Sequence, residues 1–260
     1  MNNILDSGRF LQLFNKHTRE NFRFYLMSLL VLTGLLVIFF SYIAYETEGR
    51  LSYDRELQFR IYLIFFLLSG AIFSSTVFSH FGNKRSRTMS LILPSSNFEK
   101  FLVGWIYVFV LFPILYTLVF YLLDFAMAFC VPRKGRDSFK IWNVFVADEQ
   151  HYMVFLLFYL LTSVGFWGAI MFKNLHFIKT AASFFAAGSL LVMANTAFIK
   201  CLIIKPLGAS MPFGGLSFFL KDNYYNLIID SSLTYVIGTI SVIVPVLWLS
   251  AYFKLKEKEV

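Results

Sequence analysis

The sequence predicts an all-α integral membrane protein with six transmembrane helices. Of its 260 residues, 58% are apolar and 15% are charged, and the mean hydropathy is +0.68. Soluble domains carry about 25% charged residues. Six apolar segments each reach the roughly 20 residues that a helix needs to cross the ~30 Å hydrocarbon core of a bilayer. They comprise residues 24–45, 61–81, 101–131, 152–172, 180–199 and 228–253.

These segments must be helical, because the bilayer core offers no hydrogen-bond partners to exposed backbone groups. They are also far longer than the strands of a membrane barrel. The net charge is +8, but the Lys and Arg residues are scattered among the connections. They form no basic stripe of the kind that binds nucleic acid. With the N-terminus in the cytoplasm, 13 Lys and Arg lie inside and 10 outside. The positive-inside tendency therefore favours a cytoplasmic location for both termini.

Residues 1–23 are predicted to form an amphipathic interfacial helix ahead of the six-span domain, 24–260. At about 100° per residue, its basic residues share one sector and its apolar residues the other. A helix divided in this way lies in the membrane surface. It is either an elbow that carries force into the first span or an anchor that only sets topology. The candidate elbow residues are Phe10, Leu13, Phe14, Lys16 and Arg19.

The connection between the second and third spans has the most informative pattern. Met89, Ile92 and Leu93 have the i, i+3, i+4 spacing of one helix face, and Pro94 should end that helix. The Ser-x-x-Glu sequence that starts at Ser96 is a capping box for the next helix. A short helix is therefore predicted, and its apolar face needs headgroups, the protein's own helices or a partner to cover it. The alternative is an interfacial loop.

This order of elements resembles the membrane-spanning permease subunit of type-2, exporter-type ATP-binding-cassette transporters. The resemblance covers the topology of nearly the whole chain, whereas similarity of individual residues is confined to 89–102. In that family the short helix is a coupling helix that docks in a groove of the ATPase subunit. By position, the resemblance assigns the ATPase-coupling role to Arg87, Thr88, Met89, Leu91, Ile92 and Leu93.

The resemblance also implies the partners and the location. A cytoplasmic ATP-binding-cassette ATPase would carry ATP and Mg²⁺, and no cofactor is expected on this chain. A second permease copy or a paralogue would complete a homodimer or heterodimer in a bacterial cytoplasmic membrane. The substrate is expected to be apolar or amphiphilic, because the spans contain little charge and many phenylalanines.

The connection between the fifth and sixth spans is too apolar for a plain loop and too interrupted by Pro and Gly for a span. Short re-entrant or interfacial helices suit this composition. The family has such broken helices near the outer mouth of its pathway. The alternative is a loop that lies among the headgroups. The candidate gate residues are Pro206, Pro212, Phe213, Gly214 and Gly215.

Four further features lie in or beside the spans. Asp124 is an ionisable residue near the outer end of the third span, where it lines a pathway, faces water or pairs with a cation. Pro113 is expected to kink that span. Gly165 and Gly168 permit a close approach between helices. The basic connection around Trp142 suits a membrane surface.

Sequence motifs for catalysis are missing. The chain has no Walker A sequence, and its four histidines lack the paired spacing and the cysteine cluster of a metal site. It is therefore not expected to be an enzyme, and ATP hydrolysis is assigned to the separate subunit. The leading hypothesis is an exporter permease. The alternatives are an ATP-independent carrier or channel, and a membrane scaffold or sensor subunit that transports nothing.

Overall fold

A computed structural model describes residues 6–46, 55–82, 96–130, 142–143, 149–172, 175–202, 212–214, 216–220, 223–227 and 232–259. The helices are α1 Ser7–Glu46, α2 Arg55–Gly82, α3 Asn97–Ile106, α4 Phe112–Cys130, α5 Glu149–Met171, α6 His176–Leu202 and α7 Ser232–Glu259. A π-helical turn, Tyr107–Leu111, joins α3 to α4. Two strands, β1 Leu216–Leu220 and β2 Asn223–Leu227, lie between α6 and α7.

The described chain contains six helical units that are long and apolar enough to cross a membrane. One of them consists of α3, the π turn and α4 together. Each unit overlaps one of the six spans that the hydropathy of the sequence predicts, although the first begins well before residue 24. The protein is therefore a helical, multi-pass membrane protein, and this part of the prediction is confirmed.

Helix α1 is one continuous helix of 40 residues, so the interfacial helix predicted for residues 1–23 is not a separate element. At ~1.5 Å per residue it is about 60 Å long, against ~30 Å for the hydrocarbon core of a bilayer. No Gly or Pro lies between Gly8 and Gly34, so the backbone chemistry does not break the helix where the elbow was expected. The first third of α1 packs on α3 and the π turn.

Aromatic side chains form the interior, where α2 packs along α5 and α4. The rings of Phe66 and Phe158 lie 4.2 Å apart between α2 and α5 and are nearly parallel. The buried hydroxyl group of Tyr116 in α4 donates a hydrogen bond of 2.9 Å to the main-chain oxygen of Tyr62 in α2. Ring pairs of this kind stabilise a core beyond the area that they bury.

Three glycines mark the closest approaches between helices. A Cβ atom on Gly70 of α2 would lie 2.5 Å from the Phe158 ring, and one on Gly165 of α5 would lie 2.6 Å from Ser74 Oγ. A Cβ atom on Gly168 would overlap the side chain of Thr180 in α6. The close approach predicted from Gly165 and Gly168 is therefore confirmed, and α6 lies against α5 because Gly168 has no side chain.

Replacing Gly168 by alanine should lower the free energy of unfolding by about 1–3 kcal/mol, the usual cost of overpacking. The added methyl group has to displace Thr180, which is buried. Gly188→Ala in α6 is the matched control, because a Cβ atom there has no neighbour within 4 Å. Alanine favours helix, so the control should be neutral or stabilising. Thermal unfolding in detergent measures both variants, and an equal effect would contradict this packing.

The π turn accounts for the irregularity that the sequence predicts at Pro113. Proline has no amide hydrogen, and its ring crowds the carbonyl group four residues earlier, that of Phe109. The main-chain N–H of Phe112 bonds instead to the oxygen of Tyr107, five residues back. Such a turn inserts one extra residue into a helix, so the faces of α3 and α4 are rotated relative to each other by about 100°.

The described part of the connection between α6 and α7 is a turn at 212–214 and a β-hairpin, whereas the sequence predicts short re-entrant or interfacial helices. Strands β1 and β2 pair antiparallel, with Leu216 opposite Leu227 and Leu220 opposite Asn223. The rings of Phe218 and Tyr225 stack across the strands at 5.7 Å. Aromatic residues favour strands, and cross-strand ring pairs stabilise a hairpin. The prediction of a broken helix depends on the Pro and Gly residues between 206 and 215. The aromatic residues that follow them lie in extended strands instead.

Candidate functional site

The start of α3 is built as the sequence predicts. Ser96 Oγ accepts a hydrogen bond from the Glu99 N–H at 3.2 Å, and Glu99 Oε2 accepts one from the Ser96 N–H at 3.0 Å. Both halves of the capping box are therefore present. The box satisfies backbone donors that the first turn of α3 would otherwise leave without partners.

The same glutamate also joins α3 to the beginning of α1. Glu99 Oε1 accepts hydrogen bonds from the Asp6 N–H at 2.9 Å and from Arg9 Nη2 at 3.0 Å. The Glu99 side chain is 0% exposed, whereas that of Arg9 is 39% exposed. We call Asp6, Arg9, Ser96 and Glu99 the α1–α3 junction. It connects parts of the chain that are ninety residues apart through one buried carboxylate.

The hydrogen bonds and the arginine at the junction favour the ionised form of the Glu99 carboxylate. Burial acts to raise the pKa of Glu99, but the hydrogen bonds from the Asp6 and Ser96 N–H groups and from Arg9 hold that pKa below its ordinary value of 4.5. Glu99 precedes the apolar part of its helix, which begins at Phe101. The pKa of Glu99 is lower in the folded protein than in the unfolded chain. The junction therefore stabilises the fold at pH values above the ordinary pKa, and this stabilisation is lost as the pH falls through the lowered pKa.

Tyr107, in the π turn, is the centre of a second contact with α1. Its ring stacks on Tyr25 at 5.0 Å and on Phe14 at 5.2 Å. Its hydroxyl group is hydrogen-bonded to Thr18 Oγ1, and His17 Nε2 lies 2.8 Å from the Tyr25 hydroxyl oxygen. We call these five residues the aromatic hub. The hub explains why the first third of α1 lies against the bundle.

Beyond the hub, α1 and α2 separate and leave an apolar cleft of about 690 Å³. Its walls come from α1 between Phe22 and Leu35, from α2 between Ser69 and Thr76, and from the third span. Helix α1 packs on α3 and α4 but makes few contacts with α2, and this geometry creates the space. The third span contributes Tyr107, Leu111, Phe112, Leu115 and Tyr116.

The opposite end of the bundle is closed by Trp142, from the connection between α4 and α5. The main-chain N–H of Trp142 donates to Gln58 Oε1 at 2.6 Å, and its main-chain carbonyl oxygen accepts from the Tyr121 hydroxyl group at 3.1 Å. Its ring lies 5.1 Å from that of Tyr62. The sequence predicts that this connection lies at a membrane surface, and its Trp142 is buried between α2 and α4, so the indole ring contacts the protein's own helices.

Asp124 lies near this closure, and its side chain is fully buried. It shares one face of α4 with Tyr116 and Phe120, at intervals of four residues. Those two residues pack on Tyr62 of α2. From the sequence, the Asp124 carboxyl group lines a pathway, faces water or pairs with a cation. Its full burial excludes exposure to water.

The structure brings only some of the predicted site residues together. The coupling residues between Arg87 and Leu93 lie outside the described residues, as do Pro206 and Gly215. Of the elbow residues, Phe14 packs in the aromatic hub and Lys16 lies 3.8 Å from Glu20 on the helix surface. The remaining predicted residues that the structure describes are Phe10, Leu13 and Arg19 on α1, and Pro212, Phe213 and Gly214 in a turn before β1.

Phe213 is the one outer-gate residue with a distinctive geometry among those described. Its φ angle of 61° is in the left-handed region, which bulky side chains rarely adopt. Its ring stacks on Tyr235 of α7 at 5.9 Å and nearly parallel. This contact holds the turn before β1 against the start of α7.

The fold and these sites define a six-span helical membrane protein whose first and third spans are joined at one end. No protein-family model, no curated protein and no solved structure matches this chain.

Proposed function

We propose that the protein is the membrane-spanning permease subunit of an exporter of the ATP-binding-cassette type. It would form one half of a translocation pathway and couple to a separate cytoplasmic ATPase. The α1–α3 junction is the observation that carries this proposal. It lies directly after residues 83–95, the connection that contains the predicted coupling residues.

The junction supports a mechanical role for that connection. A force applied to residues 83–95 reaches α3 through Ser96 and reaches α1 through the hydrogen bonds of Glu99 to Asp6 and Arg9. The aromatic hub adds a second contact between the same two spans. Closure of an ATPase dimer would then move both spans together as a rigid body, which is how packed helices transmit such changes.

The exposed helices support the expectation of a second permease subunit. In the most apolar stretch of α6, no residue is buried by the rest of the described chain. Helix α6 is held mainly by α5 and leaves large apolar side chains on its outer faces. A second copy or a paralogue that packs there would complete the pathway, with the α1–α3 end in the cytoplasm of a bacterial cell.

The proposal is tested by purifying the chain with its native neighbours and identifying any Walker A ATPase that purifies with it. We expect the two subunits to purify together and to lose association when Met89, Ile92 and Leu93 are all replaced by aspartate. The conservative triple variant Met89→Leu, Ile92→Val and Leu93→Ile is the control and should retain the ATPase. Association that survives the aspartate substitutions, in a normally folded variant, would contradict the proposal.

A carrier or channel that works without ATP is the second candidate. The full burial of Asp124 favours it, because ionisable groups within membrane spans often mark ion and proton pathways. The purified chain alone, reconstituted in liposomes, separates the two candidates. Solute exchange without any ATPase would support the carrier and contradict the permease.

A further inference from the structure

The apolar cleft between α1, α2 and the third span has the dimensions of a ligand site. Its volume of about 690 Å³ lies within the ~300–1,000 Å³ range of pockets that hold small molecules. Its lining is apolar except for Ser28, Ser69, Thr76 and the tyrosine hydroxyl groups. A polar solute would lose its hydrogen bonds to water there and gain few in return, so this lining selects an apolar occupant.

The cleft is elongated along α1, and its length suits one leaflet of a bilayer. From Phe22 to Leu35 the helix rises about 20 Å, while half of the hydrocarbon core is ~15 Å thick. Many lining side chains remain partly exposed, so the cleft opens sideways onto the surface that lipid covers. These exposed lining residues are Leu26, Met27, Val31, Leu35, Ile72 and Leu115.

One end of the cleft lies beside the aromatic hub and near two basic residues of α1. Tyr25 and Tyr107 of the aromatic hub form its boundary there. Arg19 and Arg23, both exposed, lie on α1 within two turns of this end. Arginine side chains near the end of a membrane helix typically extend their charged groups toward the headgroup region. This arrangement places positive charge where the headgroup of an aligned lipid would be.

We infer that the cleft binds one acyl chain of an anionic phospholipid, taken from the leaflet beside the first turns of α1, with the phosphate group near Arg19 and Arg23. The inference goes beyond the proposed function and does not depend on it. Binding of this kind needs no ATPase, so a failure of the coupling proposal would leave it intact.

The test uses the chain alone in nanodiscs that contain phosphatidylglycerol with a photoreactive diazirine in its acyl chain. After irradiation, labelled peptides are mapped by mass spectrometry. We expect the labels to concentrate on the cleft-lining stretches of α1 and α2. Ile72→Trp should fill the cleft and lower this labelling roughly tenfold, since excluding as few as two buried methylene groups costs about that factor.

Ile64→Trp is the matched control for Ile72→Trp. Both isoleucines lie on α2, and they are 51% and 53% exposed, but Ile64 does not line the cleft. Labelling of the cleft should be unchanged in the control. Equal lipid labelling of the cleft in both variants would overturn the inference. So would an Ile72→Trp protein that is still labelled but no longer self-associates, because the cleft would then hold a second copy of the chain.

The position of the headgroup is tested separately. The double variant Arg19→Gln and Arg23→Gln should bring the labelling by phosphatidylglycerol down to that by phosphatidylcholine with the same diazirine chain. In the unchanged protein the anionic probe should label more strongly. An equal response to the two lipids in the unchanged protein would overturn the assignment of an anionic headgroup.

Discussion

Glu99→Ala is expected to lower the free energy of unfolding by about 2–4 kcal/mol, because buried donors that lose their acceptor each cost about 1–3 kcal/mol. The Asp6 and Ser96 N–H groups and the Arg9 guanidinium group all donate to this carboxylate. Asp6 and Arg9 are not fully buried, so water can accept hydrogen bonds from their donors and offset part of this cost. Thermal or denaturant unfolding in detergent measures the change.

The same variant should affect function if the proposed coupling is correct. With the junction broken, a movement of residues 83–95 would reach α3 but would no longer be passed to the start of α1. ATP hydrolysis by the assembled transporter should then continue without transport. A Glu99→Ala transporter with unchanged transport per ATP would show that the junction only supports the fold.

Glu56→Ala is the matched control for Glu99→Ala. Glu56 also pairs with an arginine, with Arg60 Nη2 at 2.9 Å, but the Glu56 side chain is 83% exposed. Exposed pairs contribute roughly 0–1 kcal/mol, because water screens them and the side chains lose freedom. The control should therefore remain near the stability of the unchanged protein. Equal losses in the two variants would mean that the buried junction contributes no more than a surface pair.

A double-mutant cycle should show a large coupling between Gly70 and Phe158. Phe158→Ala alone should cost about 3–5 kcal/mol, because it leaves a cavity among buried rings. Gly70→Ala alone should cost about 1–3 kcal/mol, since the new Cβ atom would lie 2.5 Å from the Phe158 ring. In the Phe158→Ala background the added methyl group has space, and Gly70→Ala should become neutral or stabilising.

The control for this cycle is Gly34→Ala on α1, where a Cβ atom meets nothing within 4 Å. Its effect should be the same with and without Phe158→Ala, because distant sites contribute additively. Chemical or thermal unfolding of the variants gives the coupling energy. A coupling near zero between Gly70 and Phe158 would mean that α2 and α5 are not in close contact at this point.

Local chemistry allowed the junction to be predicted in part. The Ser-x-x-Glu sequence at Ser96 was sufficient for the capping box, because all of its partners lie within four residues. The other role of Glu99 had no signal in the sequence, since Asp6 and Arg9 are about ninety residues away. Nothing in an amphipathic N-terminal segment tells whether its apolar face meets lipid or another helix.

Sequence patterns alone predict the six spans, the cap before α3 and the close approaches at Gly165 and Gly168. These features depend on hydropathy, on neighbouring residues or on the absence of a side chain, all of which are visible in one dimension. Three features are visible only in the folded chain: the continuity of α1, the burial of Trp142 and the cleft between α1 and α2. Phenylalanine, leucine and tryptophan are equally suited to lipid and to a helix interface, so their presence in a segment does not show which of the two they contact.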